Sequence, residues 1–153
     1  VSPDHQMAAI VLDTVGRNFY TVKFKDMKTG QYLADQIADT RGGYVWTNDN
    51  QSILYAVPDK QTLRNYLIKR HILGTPVESD QVIYEEKDQT LDVGVSKTRS
   101  KKYFIISSGR TDASYAQYLS ADKPGKPVII QPLQHDVQYS VNHTGGDRFF
   151  IYT

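Results

Sequence analysis

Three carboxylates close together at residues 85 to 88 are the first candidates for chemistry in this sequence. Glu85, Glu86 and Asp88 follow the apolar residues and the tyrosine of the run QVIYEEKD. Paired carboxylates can carry out general acid–base catalysis or hold a metal ion, but acidic residues also commonly end a strand. Adjacent residues of a strand point to opposite faces, so Glu85 and Glu86 are not expected to share a site.

A pair formed by Glu86 and Asp88 is also disfavoured, because the strand ends too early. These two side chains would share a face only if the strand continued, whereas Lys87 and the turn residues DQT indicate that it stops there. As the fourth and outermost strand of a sheet, VIYEEKD is expected to be solvated. We therefore predict a strand end and no catalytic dyad.

Serine and histidine chemistry is equally poorly supported. The nearest approach to the G-x-S-x-G motif of serine hydrolases is GVSKT at residues 94–98, which lacks the second glycine and falls inside a predicted strand. Its Ser96 is predicted to be an ordinary strand serine. The histidines show no metal-binding spacing, and a structural role is predicted for all of them: His5, His71, His135 and His143.

Glycines and aspartates likewise have structural explanations. There is no P-loop and no dinucleotide-binding fingerprint, and the glycine pairs at 42–43 and 145–146 stand in turns between strands. Asp80, Asp88 and Asp122 each close a strand or open a turn, where an aspartate accepts hydrogen bonds from nearby backbone amides. The sequence therefore predicts no catalytic, cofactor-binding or metal-ligating residue, and no cofactor.

Composition excludes several classes of function. The chain has 153 residues, 23% charged and 39% hydrophobic, which is typical of one globular domain. With a net charge of +1, its densest basic group, Lys97, Arg99, Lys101 and Lys102, is offset elsewhere, so nucleic-acid binding is not expected. No apolar run is long enough to cross a membrane, and the beginning of the chain does not resemble a signal peptide. The absence of cysteine is compatible with a cytoplasmic location.

A repeat of β-branched and aromatic runs organises the chain. The runs are centred roughly 45 residues apart, a period typical of repeat proteins. They are AAIVL at 8–12, SILYAV at 52–57, KYFII at 102–106 and RFFIY at 148–152. A polar turn precedes each run, and before the later three turns lies a further short strand: GYVWT, LDVGVS or YSVNH. The segment TLRNYLIKRHIL could form an amphipathic helix, but its counterparts in the other repeats are extended, so we predict a strand.

Four strands in each repeat, without intervening helices, are typical of β-propeller blades. We predict an all-β fold of about three blade-equivalents of four-stranded antiparallel sheets, where closed propellers have four to eight blades. Residues 43–88 and 90–134 form complete blades, residues 7–37 lack an innermost strand, and residues 137–153 supply two strands of another blade. A self-contained β-sandwich is the alternative.

The central part of the chain resembles the propeller of oligopeptidase B enzymes, which belong to the prolyl oligopeptidase family of serine peptidases. The pattern is H-x-LGT-x4-D-x-x-YEE-x-D, followed by a hydrophobic strand and TRS. The matching residues are His71, Leu73, Gly74, Thr75, Asp80, Tyr84, Glu85, Glu86, Asp88, Thr98, Arg99 and Ser100. The flanking segments DMKTGQYLADQIADTRGGYVW, LSADKP, YSVNH and RFFIYT extend the resemblance over nearly the whole chain, whereas GRTDASYAQYL departs from the pattern.

This resemblance implies a segment cut from a seven-bladed propeller that covers an α/β-hydrolase domain with a Ser-Asp-His triad. In such enzymes the propeller admits short peptides and excludes folded proteins, and oligopeptidase B cleaves after Arg or Lys. Their catalytic and specificity residues lie in the hydrolase domain, so none is assigned to this chain. The implied partners are the catalytic domain of the same polypeptide and, in the full-length enzyme, short peptides.

Two functional classes remain open on the sequence alone. One is a non-catalytic gating segment of a cytoplasmic serine oligopeptidase, and the other is a stand-alone β-rich protein-binding module. A reading frame that continues into a G-x-S-x-G motif would favour the first class. We also expect Trp46, the only tryptophan, to be buried between adjacent blades, and the isolated segment to self-associate through exposed strand edges.

Overall fold

The fold is built from short strands with almost no helix. The computed structural model describes all 153 residues. Its strands are β1 (Met7–Leu12), β2 (Tyr20–Asp26), β3 (Tyr32–Thr40), β4 (Tyr44–Trp46), β5 (Ser52–Pro58), β6 (Asn65–Ile72), β7 (Gln81–Glu85), β8 (Asp92–Lys97), β9 (Tyr103–Arg110), β10 (Ala113–Ser120), β11 (Val128–His135), β12 (Ser140–Asn142) and β13 (Phe150–Tyr152). The one helical element is the 3₁₀ turn Val77–Ser79. No helix in the structure is both long enough and apolar enough to span a membrane.

The strands form four antiparallel sheets in which each strand pairs with its neighbour in sequence. Sheet 1 contains β1 to β3, sheet 2 contains β4 to β7, sheet 3 contains β8 to β11, and sheet 4 contains β12 and β13. Strands β4 and β8 form edges of the two complete sheets, and β1 forms an edge of the three-stranded sheet. The predicted four-stranded antiparallel units are therefore present.

The ambiguous segment TLRNYLIKRHIL contains β6. Residues Asn65–Ile72 pair with β5 on one side and with β7 on the other. The helical spacing of Leu63, Tyr66, Leu67 and Arg70 is thus misleading, and the prediction of a strand is confirmed. Because β6 pairs on both sides, its backbone amides and carbonyls are hydrogen-bonded. This stabilisation exceeds the small contribution of local helix propensity.

Strand β5 shows why the sheets stack. Successive side chains of a strand point to opposite faces, yet Ile53, Leu54, Tyr55 and Ala56 are all buried. Ile53 and Tyr55 pack against sheet 1, in a cluster that includes Phe24 and Trp46. Leu54 and Ala56 pack against sheet 3, in a cluster that includes Phe104 and Ile106. A sheet buried on both faces belongs to a stack of blades rather than to a two-layer sandwich.

Three matching edge turns lead into strands β1, β5 and β9. They span residues 2–7, 47–52 and 98–103, and in each a hydroxyl at the first position accepts a hydrogen bond from the backbone amide at the last. The fourth residue of each turn has a left-handed backbone: His5 (φ 62°), Asn50 (φ 63°) and Lys101 (φ 62°). Because neighbouring turns lie side by side, the Asn50 side chain accepts a bond from the Asp4 amide at 3.0 Å.

Candidate functional site

Ser96, the serine of GVSKT, lies inside β8 and faces solvent. It pairs with Ile105 of β9 in a regular antiparallel register. The nucleophile of an α/β hydrolase instead stands on a sharp turn between a strand and a helix. The backbone around Ser96 therefore does not have the geometry that would activate a serine.

The three carboxylates of QVIYEEKD are separated by the structure. Glu85 ends β7 and is exposed, Asp88 accepts bonds from Thr90 in the next turn, and Glu86 is only 5% exposed. The prediction that the strand ends at this point is confirmed. The expectation that the whole segment is solvated is wrong for Glu86, because the chain turns inwards after Glu85 and reaches the adjacent sheet.

Glu86 joins sheet 2 to sheet 3 through phenol groups. One of its carboxylate oxygens accepts hydrogen bonds from the hydroxyls of Tyr84, at 2.8 Å, and of Tyr115 on β10. The other oxygen accepts from the Asp88 amide at 3.0 Å. Burial raises the pKa of Glu86, but the bonds from Tyr115, the Asp88 amide and Tyr84 lower it more, so the pKa lies below its ordinary value. Glu86 is thus held as a carboxylate that ties two sheets together.

His71 occupies a comparable position between sheets 1 and 2. Its Nδ1 lies 2.9 Å from Asp80, and its Nε2 lies 3.4 Å from Asp35 on β3 of sheet 1. The ring is fully buried and stacks on Phe24, with centroids 5.7 Å apart. The second oxygen of Asp80 accepts a bond from the Tyr55 hydroxyl at 2.8 Å, and burial together with this carboxylate raises the pKa of Tyr55.

The Asp80 contacts correct one sequence interpretation. Asp80 was expected to accept bonds from nearby backbone amides, but its bonds come from the side chains of His71 and Tyr55. The spacing of His71 and Asp80 in the motif H-x-LGT-x4-D is explained by this contact, since the intervening turn returns the chain beside β6. No group of three or more His, Asp or Glu side chains in the structure is arranged to hold a metal ion.

The remaining histidines lie apart from one another. His143 is buried against Tyr103 and Phe149, its Nδ1 lies 2.7 Å from the Ser100 hydroxyl, and its Nε2 lies 3.2 Å from the Gly146 carbonyl. It therefore joins sheet 4 to the edge turn at 98–103. His5 takes the left-handed position of the first edge turn, and His135 is exposed at the end of β11.

A groove of about 420 Å³ is present beside strand β4. It lies between the beginning of the chain, strand β4 and the edge turn at 98–103, and its lining includes Pro3, Tyr44, Trp46, Lys97 and Lys101. Lys97 donates to the Trp46 carbonyl at 2.9 Å. Burial, and then the neighbouring Lys101, lower the pKa of Lys97. The groove thus combines aromatic walls with two ammonium groups.

Sequence reasoning missed the partners that come from other sheets. Tyr115 and Asp35 stand far along the chain from Glu86 and His71, and nothing in their local pattern marks them. The structure also brings Lys123 and Lys126, in the loop after β10, to the same end of sheet 3 as Lys101. A signal was available for that contact, because strands β8 to β11 form one predicted blade and its alternate loops meet at one end.

Stacked four-stranded antiparallel sheets with both faces buried define a segment of a β-propeller. Comparison with protein families identifies the kind of propeller: the family model of the prolyl oligopeptidase N-terminal β-propeller domain matches residues 1–153. The chain belongs to this family of propeller domains. The sequence resemblance and the all-β propeller prediction are thereby confirmed.

Individual relatives support the same assignment. The chain is 35% identical over its whole length to "Dipeptidyl aminopeptidase BI" of Pseudoxanthomonas mexicana, and it covers 21% of that protein. It is 30% identical to "Protease 2" of Moraxella lacunata, with 99% of this chain and 22% of that protein covered. The chain therefore spans about a fifth of the length of these curated relatives.

Solved structures agree with the fold. Oligopeptidase B from Leishmania major superimposes with a TM-score of 0.92 at 27% identity, over 97% of this chain and 21% of that one. Oligopeptidase B from Trypanosoma brucei, in a closed form with covalently bound antipain, gives a TM-score of 0.87 at 26% identity over the same shares. The stack of four sheets described here is therefore the arrangement found in these enzymes.

Proposed function

We propose that this chain is a non-catalytic part of the propeller that covers the active site of a serine oligopeptidase. The single observation that carries the proposal is the match of the propeller family model to residues 1–153. Chains related along this whole length are about five times longer and are named as peptidases. The partner of the propeller is then an α/β-hydrolase domain of the same polypeptide, and its substrates are short peptides.

Cleavage after Arg or Lys is the finer part of this proposal. It is supported by the similarity to two oligopeptidase B structures and by the residues of the H-x-LGT-x4-D-x-x-YEE-x-D pattern. We also propose a cytoplasmic location, because a chain without cysteine does not need an oxidising compartment to form disulfides.

The buried ties between sheets suggest how the propeller restricts access. A channel rejects large substrates only if its blades stay together, and Glu86 and His71 each hold two sheets in register through buried hydrogen bonds. Weakening one of these ties should allow the blades to separate more often, which lowers the discrimination against long polypeptides.

The test uses the longer protein that contains this chain. Rates of cleavage after Arg are measured for a short peptide and for a long unfolded polypeptide, in the wild type and in Glu86→Gln. We expect the wild type to prefer the short peptide and Glu86→Gln to lose part of that preference. Glu85→Gln, the same change one residue away on an exposed side chain, is the matched control. Equal cleavage of both substrates by the wild type, or no cleavage after Arg or Lys, would contradict the proposal.

We also propose that the 153-residue chain self-associates when it is produced alone. Apolar side chains on β11 and β13 are about half exposed, among them Ile129, Phe150 and Tyr152. Uncovered apolar strands recruit other chains. Light scattering at high protein concentration should detect dimers or larger species, and a monodisperse monomer would contradict this expectation.

A further inference from the structure

Two carboxylates face the two nitrogens of one buried histidine where sheet 1 meets sheet 2. The Nδ1 of His71 lies 2.9 Å from an oxygen of Asp80, and its Nε2 lies 3.4 Å from an oxygen of Asp35. The His71 side chain is 0% exposed, and those of Asp80 and Asp35 are 1% and 13% exposed. We call these three side chains the buried triad.

The two carboxylates of the triad have no other cation beside them. Neither Asp35 nor Asp80 forms an ion pair with a lysine or an arginine. Their other contacts are with neutral donors: the Tyr55 hydroxyl donates to Asp80 at 2.8 Å, and the Gly74 amide donates to Asp35. Uncompensated carboxylates are costly away from water. The imidazole of His71 is therefore the group in position to supply a positive charge.

The hydrogen-bonding capacity of the ring leads to the same charge. A carboxylate only accepts hydrogen bonds, whereas a neutral imidazole has one N–H donor and one nitrogen with a lone pair. If His71 were neutral, one ring nitrogen would face a carboxylate oxygen with no hydrogen between them. When both nitrogens carry a hydrogen, both contacts become charge-assisted hydrogen bonds.

The ionisable groups of β2 and β6 do not replace this charge. Phe24 of β2 stacks on the ring of His71, and its neighbours Lys23 and Lys25 point to the opposite face of sheet 1. Lys69 lies two residues before His71 on the same face of β6, but it forms no ion pair with either carboxylate.

The groups on the remaining sides of the triad are also accounted for. Asp39, the other charged residue of β3, pairs with Lys60. Glu78, in the 3₁₀ turn, is exposed. Burial raises the pKa of the Tyr55 phenol on β5, and its hydrogen bond to Asp80 raises it further, so this phenol stays neutral where a histidine titrates.

We propose that the buried triad holds two protons in the folded protein, which makes His71 an imidazolium, and that release of one proton at higher pH allows sheets 1 and 2 to separate. After that release, a ring lone pair faces a carboxylate across the contact between the sheets. The proton site rests on the geometry of the triad. Its consequence rests on the proposed function: more frequent separation of the sheets admits longer polypeptides to the peptidase.

The direction of the pH dependence follows from proton linkage. A solvated histidine loses its second proton at about pH 6.5, so above that pH each opening of the contact releases one proton. The stabilisation from the triad is therefore complete below about pH 6.5 and is lost as the pH rises.

The experiment measures amide hydrogen exchange at several pH values in the longer protein that contains this chain. The Gly74 amide is the reporter, because it donates to Asp35 from one sheet to the other. The Asn48 amide is the internal reference, because it donates at 3.1 Å to the carbonyl of Ala121, across the contact between sheets 2 and 3. Mass spectrometry of overlapping peptic fragments follows both amides, and each rate is divided by that of an unstructured amide at the same pH.

Protection of the Gly74 amide should fall about tenfold for each pH unit above about pH 6.5, because opening releases one proton. Protection of the Asn48 amide should stay constant. A constant protection at Gly74 would overturn the proposal. So would an equal fall at both amides, since it would show that the whole chain loosens and not the contact between sheets 1 and 2.

A pair of matched variants assigns the effect to the triad. Asp35→Asn keeps an oxygen that can accept from the Gly74 amide but removes one of the two carboxylates, so protection of Gly74 should no longer depend on pH. Asp39→Asn makes the same change at an exposed position of the same strand and should keep the dependence of the wild type. A tenfold fall per pH unit that persists in Asp35→Asn would overturn the assignment, and the comparison of Gly74 with Asn48 in the wild type decides without this variant.

Cleavage tests the consequence for access. The ratio of kcat/KM for a short peptide to that for a long unfolded polypeptide, each with one internal Arg, should decrease from about pH 7 to about pH 9 in the wild type and in Asp39→Asn. It should stay constant in Asp35→Asn, and the ratio cancels the titration of catalytic groups that act on both substrates. A pH-dependent exchange at Gly74 with an unchanged ratio would overturn the role in access. If neither substrate is cleaved, the proposed function fails, while exchange at Gly74 still decides the charge of the triad.

Discussion

A histidine lies between two aspartates where sheet 1 meets sheet 2, whereas a glutamate is enclosed by two tyrosines where sheet 2 meets sheet 3. We call these contacts the first and the second interface. Each places one buried titratable side chain beside an apolar cluster, and each joins that side chain to a residue of the neighbouring sheet, His71 to Asp35 and Glu86 to Tyr115. The geometry is shared, but the chemistry of the partners differs.

This difference in partners determines how much stability a substitution costs at each interface. At the first interface both partners of His71 are carboxylates, so the loss of one side chain alters the balance of charge in a fully buried place. At the second interface the carboxylate of Glu86 accepts hydrogen bonds from two neutral hydroxyls and a backbone amide, as it would from water molecules. Equivalent substitutions should therefore cost more at the first interface than at the second.

The largest effect is expected from the apolar part of the first interface. Trp46 packs edge-on against Phe24 of the neighbouring sheet, with ring centroids 6.0 Å apart. Trp46→Ala should lower the free energy of unfolding by about 3–5 kcal/mol, as is usual for a buried aromatic. Urea unfolding followed by circular dichroism measures this change, with the exposed Tyr32→Ala as control. A loss below about 1 kcal/mol would contradict packing of Trp46 between two sheets.

The next effect concerns the polar part of the first interface. Asp80→Ala leaves His71 Nδ1 and the Tyr55 hydroxyl without their acceptor, and should cost about 2–4 kcal/mol. Asp112→Ala removes an exposed aspartate whose only side-chain partner is the partly exposed Arg110, so it should leave the unfolding midpoint nearly unchanged. If the two variants unfold at the same urea concentration, the His71 network does not contribute to stability.

The second interface should respond more weakly. Glu86→Gln keeps the shape of the side chain and an acceptor oxygen but removes the charge that three donors stabilise, and should cost about 1–2 kcal/mol at pH 7. Glu85→Gln should be close to neutral in the same assay. A cost for Glu86→Gln above that for Asp80→Ala would reverse the order that distinguishes the two interfaces.

Lowering the pH should remove the stabilisation that the ionised Glu86 gives to the fold. The pKa of Glu86 in the folded chain lies below its ordinary value of 4.5, because the Tyr115, Asp88 and Tyr84 bonds outweigh its burial. The carboxylate therefore stabilises the fold above about pH 4.5 and loses this contribution as the pH falls through the lowered value. The difference between wild type and Glu86→Gln should shrink over that range, and a difference that grows on acidification would contradict the assignment of Glu86 as an ionised tie.

The smallest effect is expected for an ion pair outside both buried interfaces. Lys60 and Asp39 join the same two sheets as the first interface, at 2.8 Å, but both side chains are mostly exposed. Lys60→Met should give no measurable change in Tm, because an exposed pair gains little over its solvated state. A clear decrease in Tm would show that surface pairs also hold the sheets together.

Much of the fold was predictable because strands leave a local pattern. The repeat of extended segments predicted the sheets and the turns. It also favoured a strand over a helix around Leu63 and Leu67, where the spacing of apolar residues is helical. The burial of Trp46 was expected from its position on the inner strand of a blade, between adjacent blades, and Trp46 is 5% exposed. These features depend on the alternation of side chains within one segment, which can be seen in the sequence.

The interface ties were not predictable in the same way. Glu86 lies one residue beyond β7, where alternation no longer applies, and its partner Tyr115 belongs to another sheet. The bond from Asp35 to His71 likewise crosses between sheets. The position of Lys123 and Lys126 near Lys101 was missed for a different reason, because the basic residues were counted along the chain and not by their place in the predicted blade of β8 to β11.

The most direct test of the central claim is to find where a serine-directed phosphonate reacts in the longer protein that contains this chain. The natural product is treated with the reagent, digested, and the labelled peptide is located by mass spectrometry. A non-catalytic propeller segment predicts that the protein has a mass several-fold above 17.4 kDa and carries the label on a serine outside residues 1–153. A label on Ser96 or on any other residue of this chain would contradict the account, and so would the absence of labelling.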